Sequence, residues 1–316
     1  MSTLNRRLDE LRIAIVGAGA IGCLFGIRLH NSGHSVIIVH HNNRTIATIR
    51  KRGVGLRELS GTNIRAHIEV KRSLSKKDDP DLVLLTVKAY DTEAAARPLR
   101  KSIRSNGPVL SLQNGLGNIE TLRRYLPAES LLAGTTTEAA LQTGPGQVAH
   151  TGKGMTWIGE LGRETSKRCG MIKNVFRRAG FKTQASKNIE GVIWSKAIVN
   201  SAINPITALA RVPNGELLRI PHLRAISNET VSEGSAVARA HGVSLSPDPS
   251  SMLRQVLAST KKNRSSMLQD IEAGKRTEIR QLNGWIDSLA RKLGVDAPYN
   301  RILTELVLGL EQYQSQ

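Results

Sequence analysis

The stretch Trp194-Ser-Lys-Ala-Ile-Val-Asn-Ser-Ala-Ile-Asn-Pro205 holds the residues best suited to chemistry, because Lys196, Asn200 and Asn204 recur at intervals of four. On a helix each such step turns about 40° past a full circle, so the three side chains project from one face. Ile198, Val199, Ala202 and Ile203 lie between them and supply a side that can be buried. The polar stripe is therefore more than the solvent face of a surface helix. Lysine donates a proton, and an amide orients an oxygen without adding charge. One cation beside two neutral amides suits protonation of a substrate oxygen while a neighbouring group is held in place. The same spacing also suits an amphipathic helix with a wet edge, and the rest of the chain decides between the two.

The elements that must position this stripe begin with Leu11-Arg-Ile-Ala-Ile-Val16, a β-rich run that ends directly in Gly17-Ala18-Gly19-Ala20-Ile21-Gly22. A helical pattern through Leu24, Ile27 and Leu29 follows, then a turn at Asn31-Ser-Gly33 and a second strand, Ser35-Val-Ile-Ile-Val39. Strand, glycine turn, helix and strand in this order predict a dinucleotide-binding unit. Gly17 makes the tight turn, Gly19 lets a pyrophosphate approach the backbone, and Gly22 allows close helix-strand contact. Residues 17 to 22, with Ala18, Ala20 and Ile21 contributing backbone, are the expected phosphate-binding segment on a helix N-terminus.

NAD-binding units usually carry an acid at the end of the second strand for the ribose 2′-hydroxyl. Here that place reads His40-His41-Asn-Asn-Arg44, and no carboxylate appears before Glu58. Nothing there repels a 2′-phosphate, and Arg44 with one histidine, assigned as His41, can pair with it. The expected cofactor is NADPH rather than NADH, although Arg44 also suits an ordinary helix start.

Asp81-Leu-Val-Leu-Leu-Thr-Val87 and Val109-Leu-Ser-Leu112 are continuous apolar runs of the kind buried on both faces of a parallel sheet. Their carboxyl ends deliver Lys88 and Gln113-Asn114-Gly115. Ligands bind outside the carboxyl ends of such strands, so Lys88 and Asn114 are expected near the nicotinamide. From Leu131 to Glu160 short strands alternate with Thr143-Gly-Pro-Gly146 and Thr151-Gly-Lys-Gly154, which predicts antiparallel hairpins closing the sheet. His150 between those turns reads as a polar loop residue. His30 and His34 are separated by Gly33, which rules against a helical metal pair.

The chain of 316 residues is long enough for two domains. It has no run of about 18 uncharged apolar residues, the length of a membrane span. Residues 1 to 10 have no apolar segment and read as a short tail rather than a secretory signal. Cys23 and Cys169 are the only cysteines and sit outside any paired motif, which argues for a reducing, cytoplasmic setting without disulfide or zinc. The formal charge of +19 draws in polyanions, but the basic residues are dispersed, and three Phe, four Tyr and three Trp offer little base stacking. A basic enzyme acting on a small molecule fits better than a nucleic-acid reader or a membrane protein.

Beyond about Lys187 the strand signals stop, and helical patterns separated by Pro213-Asn-Gly215, Pro221 and Pro247-Asp-Pro249 take over. The expected architecture is α/β: a Rossmann-type dinucleotide-binding domain over residues 11 to 187, then an all-helical domain over residues 188 to 316. The cleft between two such domains is the default substrate site.

The chain resembles the ketopantoate reductases, also called 2-dehydropantoate 2-reductases. The resemblance rests on Gly17-x-Gly19-x-x-Gly22, Val87-Lys88-Ala89, Gln113-Asn114-Gly115, Trp194-x-Lys196-x3-Asn200-x3-Asn204-Pro205, and Ser265-Ser-Met-Leu-Gln-Asp270 followed by Thr277-Glu278-Ile279, in family order from about residue 12 to 310. It implies NADPH-dependent reduction of 2-dehydropantoate to pantoate, on the way to pantothenate and coenzyme A. It also implies that Lys196 is the general acid and that Asn200 and Asn204 hold the substrate hydroxyl. Ser266 would bind the carboxylate, Glu278 would anchor substrate and lysine, and Lys88 and Asn114 would stand near nicotinamide and substrate. Glu233 matches a family glutamate near the lysine, and helical domains of this kind commonly pair as homodimers. Family members often carry an arginine near the position of His41. Two rivals remain: a paralogue acting on another branched 2-keto acid, and a non-catalytic binding protein built on a dinucleotide fold.

Overall fold

The computed structural model describes residues 10 to 103, 107 to 162 and 164 to 314, so all but the last residue of the expected tail, residues 1 to 10, lies outside it. The chain forms two compact units. Among the described residues, the first comprises those from 10 to 113 and from 118 to 189, and the second comprises Asn114–Gly117 and residues 190 to 314.

The first unit runs through β1 (Arg12–Val16), α1 (Ala20–Asn31), β2 (Ser35–Val39), α2 (Asn43–Arg52), β3 (Val54–Arg57), β4 (Asn63–Ala66), β5 (Glu69–Lys71) and β6 (Leu82–Leu85). A 3-10 turn at Ala89–Asp91 follows, then α3 (Thr92–Leu99), β7 (Val109–Ser111) and α4 (Asn118–Arg123). The unit closes with β8 (Leu131–Thr136), β9 (Ala139–Gly144), β10 (Gln147–Gly152), β11 (Met155–Gly159), α5 (Lys167–Arg178) and β12 (Lys182–Ala185).

The main sheet has the order β12-β11-β8-β7-β6-β1-β2-β5. Its neighbours are parallel except at β8 and β11. Strand order reverses beside β1, the place where open α/β sheets bind ligands. The continuous apolar runs follow from burial on both faces: Ile13, Ile15, Leu82 and Leu84 enter one core, Ala14, Val16, Val83 and Leu85 the other. The three phenylalanines of the chain meet in the first of these cores. Phe25 of α1 stacks on Phe181 at 3.9 Å between ring centroids and meets Phe176 edge-on at 5.2 Å.

The expectation of hairpins closing this sheet between Leu131 and Glu160 needs correcting. β8 and β11 do join it as antiparallel neighbours, but the β9–β10 hairpin leaves it for a second sheet of order β4-β3-β10-β9. β10 pairs in parallel with β3, with Val148 opposite Leu56, and both side chains are buried in the core that holds α1. His150 is likewise no loop residue. It lies buried on β10, with Nε2 2.7 Å from Glu138 Oε2 and Nδ1 3.3 Å from Glu58 Oε2. Glu58 in turn accepts two hydrogen bonds from the Arg28 guanidinium, at 2.7 and 3.2 Å. The glycines around His150 mark the turns that flank a strand, which a reading of turn residues alone takes for a loop.

The second unit is helical: α6 (Ile189–Ala210), α7 (Glu216–Arg219), α8 (Pro221–Ala240), α9 (Pro249–Ser259), α10 (Ser266–Glu272), a 3-10 turn at Ile279–Gln281, α11 (Asn283–Leu293) and α12 (Pro298–Gln314). Its core is built on α6, whose Trp194, Ala197, Ile198, Val199, Ala202, Ile203 and Ile206 are all buried. No helix among the described residues is long and apolar enough to cross a membrane.

Candidate active site

Lys196, Asn200 and Asn204 are three successive turns of α6 and share one side of it, opposite the apolar residues that anchor the helix. Lys196 Nζ donates to Asn114 Oδ1 at 2.9 Å. Asn114 reaches it because Asn114–Gly117 folds with the helical unit: Leu116 N donates to Gln281 O at 2.7 Å. Gly115, at φ +82°, leaves no room for a side chain, since a Cβ there would lie 2.7 Å from the same Gln281 oxygen. Lysine has only donors, so the amide oxygen of Asn114 must face it.

Burial pulls the Lys196 ammonium down to about 8, against an upward push from the charge of Glu278. Glu278 is buried and opens the 3-10 turn after α10. α10 ends before Gly274, at φ +60°, and Thr277 then accepts the Ile279 N–H on its hydroxyl at 3.2 Å. This is the chain break that Ser266 and Glu278 require, since twelve residues on one straight helix would set them about 120° apart. Ser265 caps α10 by accepting from Leu268 N at 3.1 Å, and it also receives the Thr207 hydroxyl at 2.7 Å. The adjacent Ser266 is exposed, and its hydroxyl accepts from Asn204 Nδ2 at 3.5 Å.

Pro205 sits inside α6 and has no N–H for the carbonyl of Ser201. The buried Asn283 replaces it, donating Nδ2 to Ser201 O at 3.0 Å, and is held in turn by Asn300. Sequence reasoning missed Asn283. A helix-interior proline signals an orphan carbonyl, but not which distant residue supplies the donor. Glu233, expected near the lysine, is engaged by α12. Its two oxygens accept from Tyr299 N, Asn300 N and Asn300 Nδ2, each at 2.9 Å, which caps α12.

The first unit holds the remaining expected residues. Gly17, at φ +118°, turns the chain so tightly that a Cβ would meet Val87 N at 2.8 Å, and a Cβ on Gly22 would collide with Gly17 O at 1.8 Å. Thr86 Oγ1 fixes the loop by donating to the carbonyls of Val16 and Gly17. A Cβ on Gly19 would meet nothing within 4 Å, and no side chain caps α1, whose first residues are Ala20, Ile21 and Gly22. Open space before an uncapped helix N-terminus fits a pyrophosphate. His40 Nδ1 accepts from Ala18 N at 3.4 Å, and burial with the neighbouring His41 pushes its pKa down to about 4. His40 is thus a neutral brace for the glycine loop, and His41 and Arg44 are the exposed groups at the end of β2. Lys88 is partly buried at the start of the 3-10 turn after β6. Gln113 secures that turn by donating to Val87 O at 3.2 Å and Thr92 Oγ1 at 2.7 Å. Among the described residues no group of three His, Cys, Asp or Glu side chains could hold a metal.

The family described as "Ketopantoate reductase PanE/ApbA" matches residues 13 to 163, and "Ketopantoate reductase PanE/ApbA C terminal" matches residues 188 to 311. The chain is 40% identical over 300 residues to 2-dehydropantoate 2-reductase of Archaeoglobus fulgidus, covering 95% of this chain and 98% of that one. The enzyme of the same name from Pyrococcus horikoshii is 39% identical over 301 residues, with 95% and 98% covered. Among solved structures, a PanE/ApbA family ketopantoate reductase from Ralstonia eutropha JMP134 superposes with a TM-score of 0.88 at 34% identity, covering 96% and 99% of the two chains. A D-mandelate dehydrogenase with NADH and anilino(oxo)acetate superposes with a TM-score of 0.91 at 29% identity, with the same coverage.

Proposed function

The chain belongs to the ketopantoate reductase family, and on that premise we propose that it reduces 2-dehydropantoate to pantoate with NADPH, using Lys196 as general acid. The observation that carries this reading is the 2.9 Å contact of Lys196 Nζ with Asn114 Oδ1, beside the buried charge of Glu278. Asn114 accepts from the ammonium and so orients it.

Bound NADPH supplies the hydride. When a keto carbon accepts it, the oxygen becomes an alkoxide, and protonating that oxygen is worth orders of magnitude in rate. Lys196 delivers this proton. A pKa near 8 keeps it charged at neutral pH while making it a better acid than an exposed lysine. Asn200 and Asn204 hold the substrate hydroxyl, Ser266 receives the carboxylate, and Glu278 keeps the lysine protonated and anchors the substrate. Gly17, Ala18, Gly19, Ala20, Ile21 and Gly22 hold the pyrophosphate, His41 and Arg44 the 2′-phosphate, and Lys88 and Asn114 the nicotinamide end. We assign the first unit to the cofactor and the second to substrate and to pairing of two chains. The free, buried Cys23 and Cys169 suit a cytoplasmic enzyme.

The test is a turnover assay with 2-dehydropantoate, comparing NADPH with NADH and wild type with Lys196→Ala. NADPH should be preferred, and the variant should lose on the order of 10²- to 10⁴-fold in kcat. Near-normal turnover by the variant would refute the assignment. A second reading, reduction of another 2-keto acid, draws support from the likeness to D-mandelate dehydrogenase. A panel of branched and aryl keto acids separates the two, since a faster substrate than 2-dehydropantoate displaces it.

A further inference from the structure

The residues that follow β2 in the chain, from His40 to Arg44, are not alone at the carboxyl end of that strand. The sheet brings in another. β5 lies beside β2 in parallel register, with Lys71 opposite Val39, and His40 N donates to Lys71 O at 3.0 Å. The next residue, Arg72, therefore leaves the sheet level with His40 and His41, at the carboxyl edge where α/β sheets bind their ligands. Its guanidinium is directed by Asn43, the first residue of α2: Arg72 Nη1 donates to Asn43 Oδ1 at 2.8 Å. α2 is tied to β5 a second time, by Arg50 Nη2 to Val70 O at 3.3 Å. Arg72 is thus held beside the turn that carries Arg44, although 28 residues separate the two in sequence.

The charges around this point favour an anion. Lys71 is the cation that answers the nearby acids, pairing with Glu69 at 2.9 Å and with Asp78, which also accepts from Ser75 N and Oγ. Arg72 has the neutral Asn43 amide as its partner and no carboxylate in contact among the described residues. Arg72, Arg44 and His41 are all exposed. Two guanidiniums and an imidazole are thus carried by the segments at the carboxyl end of β2, where the second strand of a dinucleotide unit meets the ribose.

We propose that Arg72 is a specificity-determining residue, a second guanidinium that binds the 2′-phosphate of the cofactor together with Arg44 and discriminates NADPH from NADH. This rests on the NADPH reading above. A guanidinium offers a planar pair of donors that matches a phosphate and finds no comparable partner in a 2′-hydroxyl. Its contribution therefore falls on NADPH alone and leaves the chemical step untouched.

The experiment is calorimetric titration of the full chain with 2′,5′-ADP and with 5′-AMP, for wild type, Arg72→Ala, Arg72→Lys and Asn43→Ala. Wild type should prefer 2′,5′-ADP. Arg72→Ala should weaken 2′,5′-ADP by roughly ten-fold, the scale of one charge-assisted contact, and leave 5′-AMP within two-fold. Arg72→Lys should retain part of the preference, and Asn43→Ala should cost less than Arg72→Ala. Unchanged 5′-AMP binding doubles as the check that the variant is folded. If wild type prefers 2′,5′-ADP and Arg72→Ala keeps the full preference, Arg72 has no such role and the NADPH reading survives. Equal losses on both nucleotides in Arg72→Ala and Asn43→Ala would make Arg72 a strut for α2 and overturn the proposal. If wild type shows no preference, the NADPH reading and the proposal fall together.

Discussion

Asn283 donates its side-chain amide to the carbonyl of Ser201 at 3.0 Å, completing the turn of α6 that Pro205 leaves open directly beside Asn204. Both partners are fully buried, so the replacement has an energetic meaning. Truncating Asn283 to Ala strands the Ser201 carbonyl away from water, which costs about 1–3 kcal/mol. Thermal unfolding of the full chain should show Asn283→Ala melting several degrees below wild type, and an unchanged Tm would mean the contact carries no stability.

His150 presents a sharper case, because it separates two acids. Glu138 is buried and meets His150 Nε2 at 2.7 Å, while Glu58 is shared between Arg28 and His150. Burial pushes the Glu58 carboxyl up, but the Arg28 pair outweighs this and holds it below the usual range. His150→Leu keeps the volume and removes the partner of Glu138. Leaving one partner of a buried hydrogen bond unsatisfied costs about 1–3 kcal/mol, and more for a charged group. Denaturant unfolding should therefore find His150→Leu far less stable than wild type, and the double variant Glu138→Leu/His150→Leu should recover much of the loss. A double variant as unstable as the single one would contradict this account.

These two networks also mark where sequence reading stops. The glycine loop, the strands around it and the Lys196 stripe were legible because each depends on local order or on a helical period. β6 reads as a solid apolar run because both faces of a parallel strand are buried. Periodicity names a face but not its partner. That Asn114 belongs with the helical unit depends on Leu116 meeting Gln281, more than 160 residues away. Ser265 and Ser266 are alike in sequence and differ only in which one caps α10. Glu233 sits at the spacing of a family acid, yet the N-terminus of α12, brought back beside α8, takes both its oxygens. Arg72 was invisible for the same reason, since only the pairing of β5 with β2 carries it to the carboxyl end of β2.

The last helix makes a prediction about assembly. On α12, Tyr299, Ile302, Leu306 and Tyr313 are exposed, at 38%, 56%, 53% and 76%. Their spacing of three, four and seven lines them along one side. A water-facing apolar stripe on a helix of this length is what a paired chain covers, and a stable pair buries about 800 Å² on each partner. Sedimentation should give a dimer for the wild type and a monomer for Ile302→Lys/Leu306→Lys. A variant that sediments as the wild type does would place the interface elsewhere.

The proton donor sets the final expectation. On the proposed mechanism reduction needs Lys196 charged, so the sign is fixed: the rate is highest on the acid side and falls as pH rises through the lysine's pKa. Burial brings that pKa to about 8, with the charge of Glu278 opposing the drop. At pH 7 roughly nine-tenths of the enzyme therefore carries the proton, and each further pH unit above the midpoint costs about ten-fold in the donor form. Glu278→Gln removes the opposing charge and keeps the shape, so the limb should move to lower pH, and the loss of rate should be greater at pH 8 than at pH 6. kcat is measured against pH with saturating 2-dehydropantoate and NADPH for both proteins. A limb that stays in place in Glu278→Gln would show that the carboxylate does not set the lysine's acidity. A wild-type rate that climbs through pH 8 to 9 would remove Lys196 as the acid.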